Sequence, residues 1–263
     1  KLGSSGGTLL FRKGGTQSGS FEFDLGASTL SLGAGYTKSG GSLDSSLATL
    51  DLLENLSITS NSALEFKQLE LNNNTLTLGS ESTDLQVSSA LTLDNINERV
   101  MTGAADLSLL AFQDISIGGV TSTGGTISLL AGGQLSGTGE LDVSGSTWTL
   151  GGVFVKSSGT LTISETTDLA LSGNSTLTSD EALSFVTLNL NDFTLTLGSP
   201  TTDLTVENDI SIDASTEGIL TGEADLILMS ALTMSEGLLG STGGTWILSK
   251  DFLKSGGTLT ISQ

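Results

Sequence analysis

The sequence predicts an all-β chain, a right-handed parallel β-helix with three short strands per coil of about 21 residues and about 12 coils. Three observations predict it. Apolar bursts of three residues, such as "LTI" (161–163), "LAL" (169–171), "LTL" (195–197) and "ISI" (210–212), recur throughout and are separated by Gly, Ser, Asn and Asp. A block of 21 residues (119 − 98, the two offsets of a long internal repeat) is present in one copy and missing from another. The composition holds 37% hydrophobic residues but only 5% aromatics, with 35 Gly and 1 Pro, which suits a thin aliphatic core with many corners.

Each burst alternates an inward aliphatic with an outward Thr, Ser or Asn, the period of a strand buried on one face. Three bursts fit in one block, so each block makes one coil. Coils stacked at roughly 4.8 Å give every strand a partner above and below, and the whole chain makes a rod on the order of 60 Å long. Proline would delete a ladder hydrogen bond, and Pro200 falls at a corner between "LTLGS" and "TDLTV". An antiparallel sandwich would show Asn-Gly or Asp-Gly hairpin turns and longer strands; no such pair occurs, and the parallel solenoid is favoured.

The long repeat fixes the register. Leu76 maps to Leu195, Gly79 to Gly198 and Asp84 to Asp203, each 119 apart (195 − 76). Further on, Trp148 matches Trp246 and Lys156 matches Lys254, 98 apart (246 − 148). An earlier copy places Leu30 under Trp148, Tyr36 under Phe154 and Lys38 under Lys156, 118 apart (156 − 38). The chain therefore reads as a single continuous solenoid, 1–263, with long repeats at approximately 1–46, 47–164 and 165–263. The extra coil of the middle copy lies near 126–146, "TISLLAGGQLSGTGELDVSGS". "DNINERVMTG" (94–103) and "DASTEGILTG" (213–222) are polar and irregular and are expected to bulge as longer corner loops. "SLATLDLLENL" (46–56) fits one short helix or an intermittent strand equally well.

Net charge is −20, from 9 Lys+Arg against 29 Asp+Glu, which makes nucleic acid and anionic membranes unfavourable partners. With 0 Cys and 0 His there is no disulfide framework, no thiolate or imidazole metal site and no histidine base. No apolar run is long enough for a membrane span. The chain opens at Lys1 without a signal-peptide pattern and reads as a mature or excised piece of something longer.

The candidate sites have plain structural readings. Asp84, Asp106, Asp203 and Asp225 recur at the same corner of the repeat, where an Asp accepts backbone N–H bonds; recurrence argues against catalysis, and the chain is read as not an enzyme. Calcium is the best cofactor candidate, through the hard oxygens of Asp94, Asn95, Asn97 and Glu98, although a solvated acidic loop is the expected reading and no cofactor is otherwise indicated. Lys38, Lys156 and Lys254 are expected to neutralise nearby acids or cover apolar corners, with an anionic glycan as the sharper alternative. Trp148 and Trp246 alternate with Leu150 and Leu248 and so point into the core rather than out toward sugar rings. Thr-x-Thr pairs at 75–77, 194–196 and 258–260 come once per long repeat, too sparsely for an ice-binding array, and the Asn run 72–74 suits a short amide ladder. Sequons at Asn55, Asn73 and Asn174 matter only in a glycosylating host.

The repeated "STGGT" phrasing and the acidic Ser/Thr/Gly surface resemble bacterial extracellular repeat β-solenoid proteins, of the filamentous-haemagglutinin-like adhesin and autotransporter-passenger type. The likeness covers the whole chain and lies in texture and periodicity. It implies an extracellular or cell-surface structural rod: an adhesin stalk or filament subunit. "SSGGTLLF" (4–11) and "GGTLTISQ" (256–263) both look like internal coils, so the expected partner is a second copy stacked end to end, or further coils of the same chain, with a glycan or cell-surface partner besides. The alternatives are a glycan-binding or glycan-cleaving β-helix and an ice-binding solenoid.

Overall fold

A computed structural model describes residues 2–262; Lys1 and Gln263, the outer bounds of the first and last long repeats, lie outside the described residues. Those residues form thirty-seven short strands and no helix. The strands pair in parallel, about 21 residues apart, and build a β-solenoid of about twelve turns. Successive strands pass to three faces in turn. The first face stacks Leu2–Gly3 through Ser42–Asp44, then Leu64–Phe66 through Leu188–Asn189, then Ile210–Ile212 through Phe252–Lys254. The second stacks Thr8–Phe11 through Gln68–Glu70, then Gln113–Ile115 through Thr258–Ile261. The third stacks Gly15–Gln17 through Thr160–Thr162, then Leu183–Phe185 through Trp246–Leu248.

The side of this triangle is seven residues. Strands Thr126–Leu129, Gly133–Leu135, Glu140–Asp142 and Thr147–Leu150 begin seven apart (133 − 126), and Thr126 pairs with Thr147. Residues 126–146 thus make one circuit. Three or four residues run extended, and the rest turn a corner. Gly132 shows why a corner selects its residue: φ is +77°, and a β-carbon there would lie 2.0 Å from the Val153 carbonyl oxygen of the next circuit.

Inward side chains stack in ladders. On the first face one ladder reads Leu64, Leu85, Leu107, Ile127, Trp148, Leu169, Leu188. Its companion reads Phe66, Val87, Leu109, Leu129, Leu150, Leu171. All of these are buried, and their removal from water is the main force closing the coil. Trp148 is fully buried, edge-on to Phe154 at 4.9 Å between ring centroids, whereas Trp246 is half-buried near the last circuits.

Seven-residue sides have a consequence for the long repeat. An offset of 119 is seventeen sides, which is two-thirds of a turn beyond five circuits. Equivalent residues therefore land on different faces. Lys38 lies on the third face, Lys156 on the second and Lys254 on the first. The single corner expected for four aspartates becomes two: Asp84 and Asp106 precede first-face strands, and Asp203 and Asp225 precede third-face strands.

Other expectations are corrected locally. The segments 94–103 and 213–222 are not long loops: the corners occupy 94–98 and 213–217, and Arg99–Gly103 and Gly218–Leu220 rejoin the ladder. Alternating Val100 and Thr102, both buried, make the first of these a strand despite its polar wording. The segment 46–56 contains the strand Thr49–Leu52, with Leu50 and Leu52 inward at period two, and leads into Leu56–Ser60.

Each face is divided into two or three sheets. The first face breaks after Ser42–Asp44 and after Leu188–Asn189, the second after Gln68–Glu70, and the third after Thr160–Thr162.

Candidate functional site

The acidic corners come first, because they held the metal candidates. Glu98 is buried, and its carboxylate is taken up by backbone donors. Oε1 accepts the Asn73 N–H at 2.9 Å, and Oε2 accepts those of Asp94 at 2.6 Å and Asn95 at 3.1 Å. Glu217, 119 residues on (217 − 98), repeats this with Asp192, Asp213 and Ala214 at 3.3, 2.8 and 3.1 Å. The donors Asn73 and Asp192 sit at φ 66° and 68°, in the left-handed conformation that Asn and Asp tolerate. The buried carboxylate closes a corner onto the circuit below it, and charge-assisted bonds of this kind stabilise by about 1.5–3 kcal/mol each. Asn95 Oδ1 accepts the Asn97 N–H, at 3.1 Å, so the asparagine also serves the turn. The structure brings Asp94, Asn95, Asn97 and Glu98 to one corner, with Glu98 directed at backbone amides. Among the described residues no group of three or more His, Cys, Asp or Glu is arranged to hold a metal ion.

The recurring aspartates act as staples between circuits. Asp84 Oδ1 accepts the Asp106 N–H at 3.0 Å, and Asp106 Oδ1 accepts that of Thr126 at 2.6 Å. Asp203 and Asp225 do the same for Asp225 and Thr245, at 2.9 and 2.6 Å.

The lysines differ from copy to copy. Lys38 is buried and donates to Asn61 Oδ1 at 3.1 Å and Ser62 Oγ at 2.9 Å, both neutral. Lys156, equally buried, meets the equivalent residues as acids, Asp180 at 2.5 Å and Glu181 at 3.1 Å. Burial works against its charge, but the hydrogen bonds to Asp180 and Glu181 prevail and raise its pKa; the same Lys156 bond lowers that of Asp180. A second ion pair spans two circuits on the third face. Arg99 reaches Glu140 across Gly119, whose missing side chain leaves the path open. Their hydrogen bond raises the arginine pKa and lowers that of Glu140. Near the first circuits Tyr36 donates to Gln17 Oε1 at 2.8 Å, and burial pushes its phenol up to about 12.

Two surface cavities coincide with sheet interruptions. One of about 290 Å³ lies at the third-face break, lined by Leu161, Ile163, Glu165, Glu181, Ser184 and Glu207 among others. The other, about 300 Å³, lies at the first-face break after Leu188–Asn189, beside Asp192, Asp209, Asp213 and Glu217. Sequence reasoning missed both: an unpaired edge leaves no mark on the apolar bursts, and circuit length does not mark it either, since strands 24 residues apart (99 − 75), at Thr75 and Arg99 or Thr194 and Gly218, stay paired. It also missed the pairing of Glu98 with Glu217, although "DNINE" and "DASTE" place an acid at the same fifth position. The threonine pairs on the second face are interrupted outwardly: Thr196 is followed by Leu220 and Gly240 before Thr260.

Comparison of the chain with protein-family models, with curated proteins and with solved structures gave no match.

Proposed function

We propose that this chain is a structural rod segment, of the extracellular or cell-surface kind, that extends by adding circuit to circuit. The observation that carries this reading is the terminal geometry of the ladder. The strands at both ends of the described solenoid have an unpartnered edge, and apolar side chains lie open beside them: Leu2 and Leu10 at one end, Leu253 and Ile261 at the other. A parallel edge of this kind pairs with another strand of the same pitch, supplied by further coils of one chain or by a second copy. The acidic exterior makes the sides of one rod repel those of another, which favours association end to end. The carboxylates at the recurring corners bind backbone amides, which supports a mechanical role for them over an acid–base one. Negative-stain electron microscopy of the purified segment tests the reading. The expected result is straight rods whose lengths are multiples of about 60 Å. Short monomers alone, at all concentrations, would remove the self-stacking form of the proposal.

A further inference from the structure

Two of the three equivalent lysines reach the circuit above their own in the same way. Lys38 pairs with Ser60 and donates to the next two residues, Asn61 and Ser62. Lys156 follows Val155, which pairs with Thr178, and so lies beside Ser179; it meets the next two residues, Asp180 and Glu181. Lys254 pairs with the buried Met234 and so takes the same inward register. Its strand, Phe252–Lys254, is an edge of the described solenoid. There Lys254 is exposed, and it makes no hydrogen bond or ion pair among the described residues.

The winding dictates how another solenoid can continue this ladder. Strands visit the faces in the order first, second, third, and each pairs with the strand one circuit on. The open edges at this end are Trp246–Leu248, Phe252–Lys254 and Thr258–Ile261; those at the other end are Leu2–Gly3, Thr8–Phe11 and Gly15–Gln17. A second copy therefore meets the ramp without a step only in one rotation. Leu2–Gly3 lies over Trp246–Leu248, Thr8–Phe11 over Phe252–Lys254, and Gly15–Gln17 over Thr258–Ile261. The inward residues Leu9 and Phe11 then stand above Phe252 and Lys254. The next two residues, where Lys38 and Lys156 find their partners, are Arg12 and Lys13. Both are exposed and make no hydrogen bond or ion pair among the described residues. The flush joint between two copies thus sets three cations at one corner.

We propose that the Lys254 end of the solenoid docks a partner coil of the same pitch whose corner carries a pair of carboxylates, which receive Lys254 as Asp180 and Glu181 receive Lys156. This rests on the end-association reading above and narrows it to one kind of partner. Such a coil pairs its backbone with the three open edges and covers Trp246, Leu248 and Phe252, which are half-buried there. The ion pairs then select it, because like charges at a closing interface reject one partner and opposite charges admit another. A second copy, with Arg12 and Lys13 in that place, is the weaker occupant.

The test is sedimentation velocity on the whole chain and on its double variant Arg12→Asp/Lys13→Glu, which gives the first circuit the Asp–Glu corner that Lys156 meets. At low salt the double variant should self-associate at least about tenfold more tightly than the unaltered chain. General repulsion predicts the reverse, since the net charge moves from −20 to −24 (−20 − 4, two cations each replaced by an anion). Adding Lys254→Glu to the double variant should cancel the gain, and Lys254→Glu alone, which sets an acid against Arg12 and Lys13, should restore it. Added salt should weaken association of the double variant and strengthen that of the unaltered chain. If any of the four forms associates, a double variant no tighter than the unaltered chain, or equally tight with Lys254→Glu added, overturns the acidic-corner proposal and leaves end association standing. Absence of association in all four forms, at every concentration and salt, overturns both.

Discussion

Thr221 and Trp246, in the last long repeat, and Thr102 and Trp148, in the middle one, are related by sequence but differ in their bonding. The Trp246 indole N–H donates to Thr221 Oγ1 at 3.1 Å, across 25 residues (246 − 221). In the middle repeat the circuit 126–146 stands between the two partners, and Ile127 occupies the rung above Leu107 that Trp246 occupies above Leu226. Among the described residues, two buried side-chain polar atoms lack a hydrogen-bond partner, and they are Thr102 Oγ1 and Trp148 Nε1. They are the separated halves of the bond that Thr221 and Trp246 make. The comparison teaches that a whole circuit can be present or absent while pairing continues above and below it, and that the Thr–Trp hydrogen bond is one contact that distinguishes the two cases. The circuit is not confined to the middle repeat: 8–28 carries it 118 residues earlier (126 − 8), with Thr8, Gly14, Gly15 and Asp24 in the places of Thr126, Gly132, Gly133 and Asp142, so the last repeat is the copy that lacks it.

The largest expected effect comes from the indoles themselves. Trp148→Ala should destabilise by about 3–5 kcal/mol, because the ring is fully buried against Phe154 and Phe185, and Trp246→Ala by clearly less, since that ring is half-buried. Chemical denaturation of both variants measures the contrast; equal losses would break the asymmetry. Next is deletion of 126–146. The shortened chain should unfold cooperatively, and the Trp148 indole proton should exchange slowly because Thr102 now accepts it. Relief of the two unpaired groups, about 1–3 kcal/mol each, offsets part of the burial lost with the circuit. An aggregated product would refute modular insertion.

A smaller and sharper pair is Thr102→Val against Thr221→Val. Replacing an unpaired buried hydroxyl should raise stability by about 1 kcal/mol, while the same change at Thr221 should lower it by about 1 kcal/mol by stranding the Trp246 N–H. Opposite signs in thermal melts are the expected outcome. The smallest effect concerns pH. Asp180 has its pKa lowered below its ordinary 3.8 by Lys156, so its stabilising contribution is present above that value and is lost as pH falls through the folded-state pKa. Lys38, held by neutral Asn61 and Ser62, has no such carboxylate to lose. Acid titration below about pH 4 should therefore loosen exchange near Asp180 before it loosens the corner at Asn61.

Some of this could be read from the amino acids. Alternation at Leu195 and Leu197 or at Ile210 and Ile212 fixes a strand with one inward face, and the offset change at 126–146 fixes the length of a circuit. The rotation of equivalent residues among faces was implicit in the same offsets, since 119 is not a multiple of 21, but it becomes visible only when each strand is assigned a side. Corner chemistry was less accessible. Asp84 and Asp106 declared themselves by recurrence, whereas Glu98 looked like a metal ligand because its partners are main-chain amides, which carry no sequence signature. The cavity beside Leu161 carries no sequence signature, because which strand edges lie opposite one another is set by the winding of the circuits.

The quarter-metre of string that changes colour every few centimetres, wound on a triangular reel, ends up showing each colour on every side. The seven-residue side does the same here: because each long copy begins two-thirds of a revolution out of step with the last, the lysine phrase faces three compass bearings at Lys38, Lys156 and Lys254. A longer array built on this period would have no front or back, and whatever it displays could be met from any direction of approach.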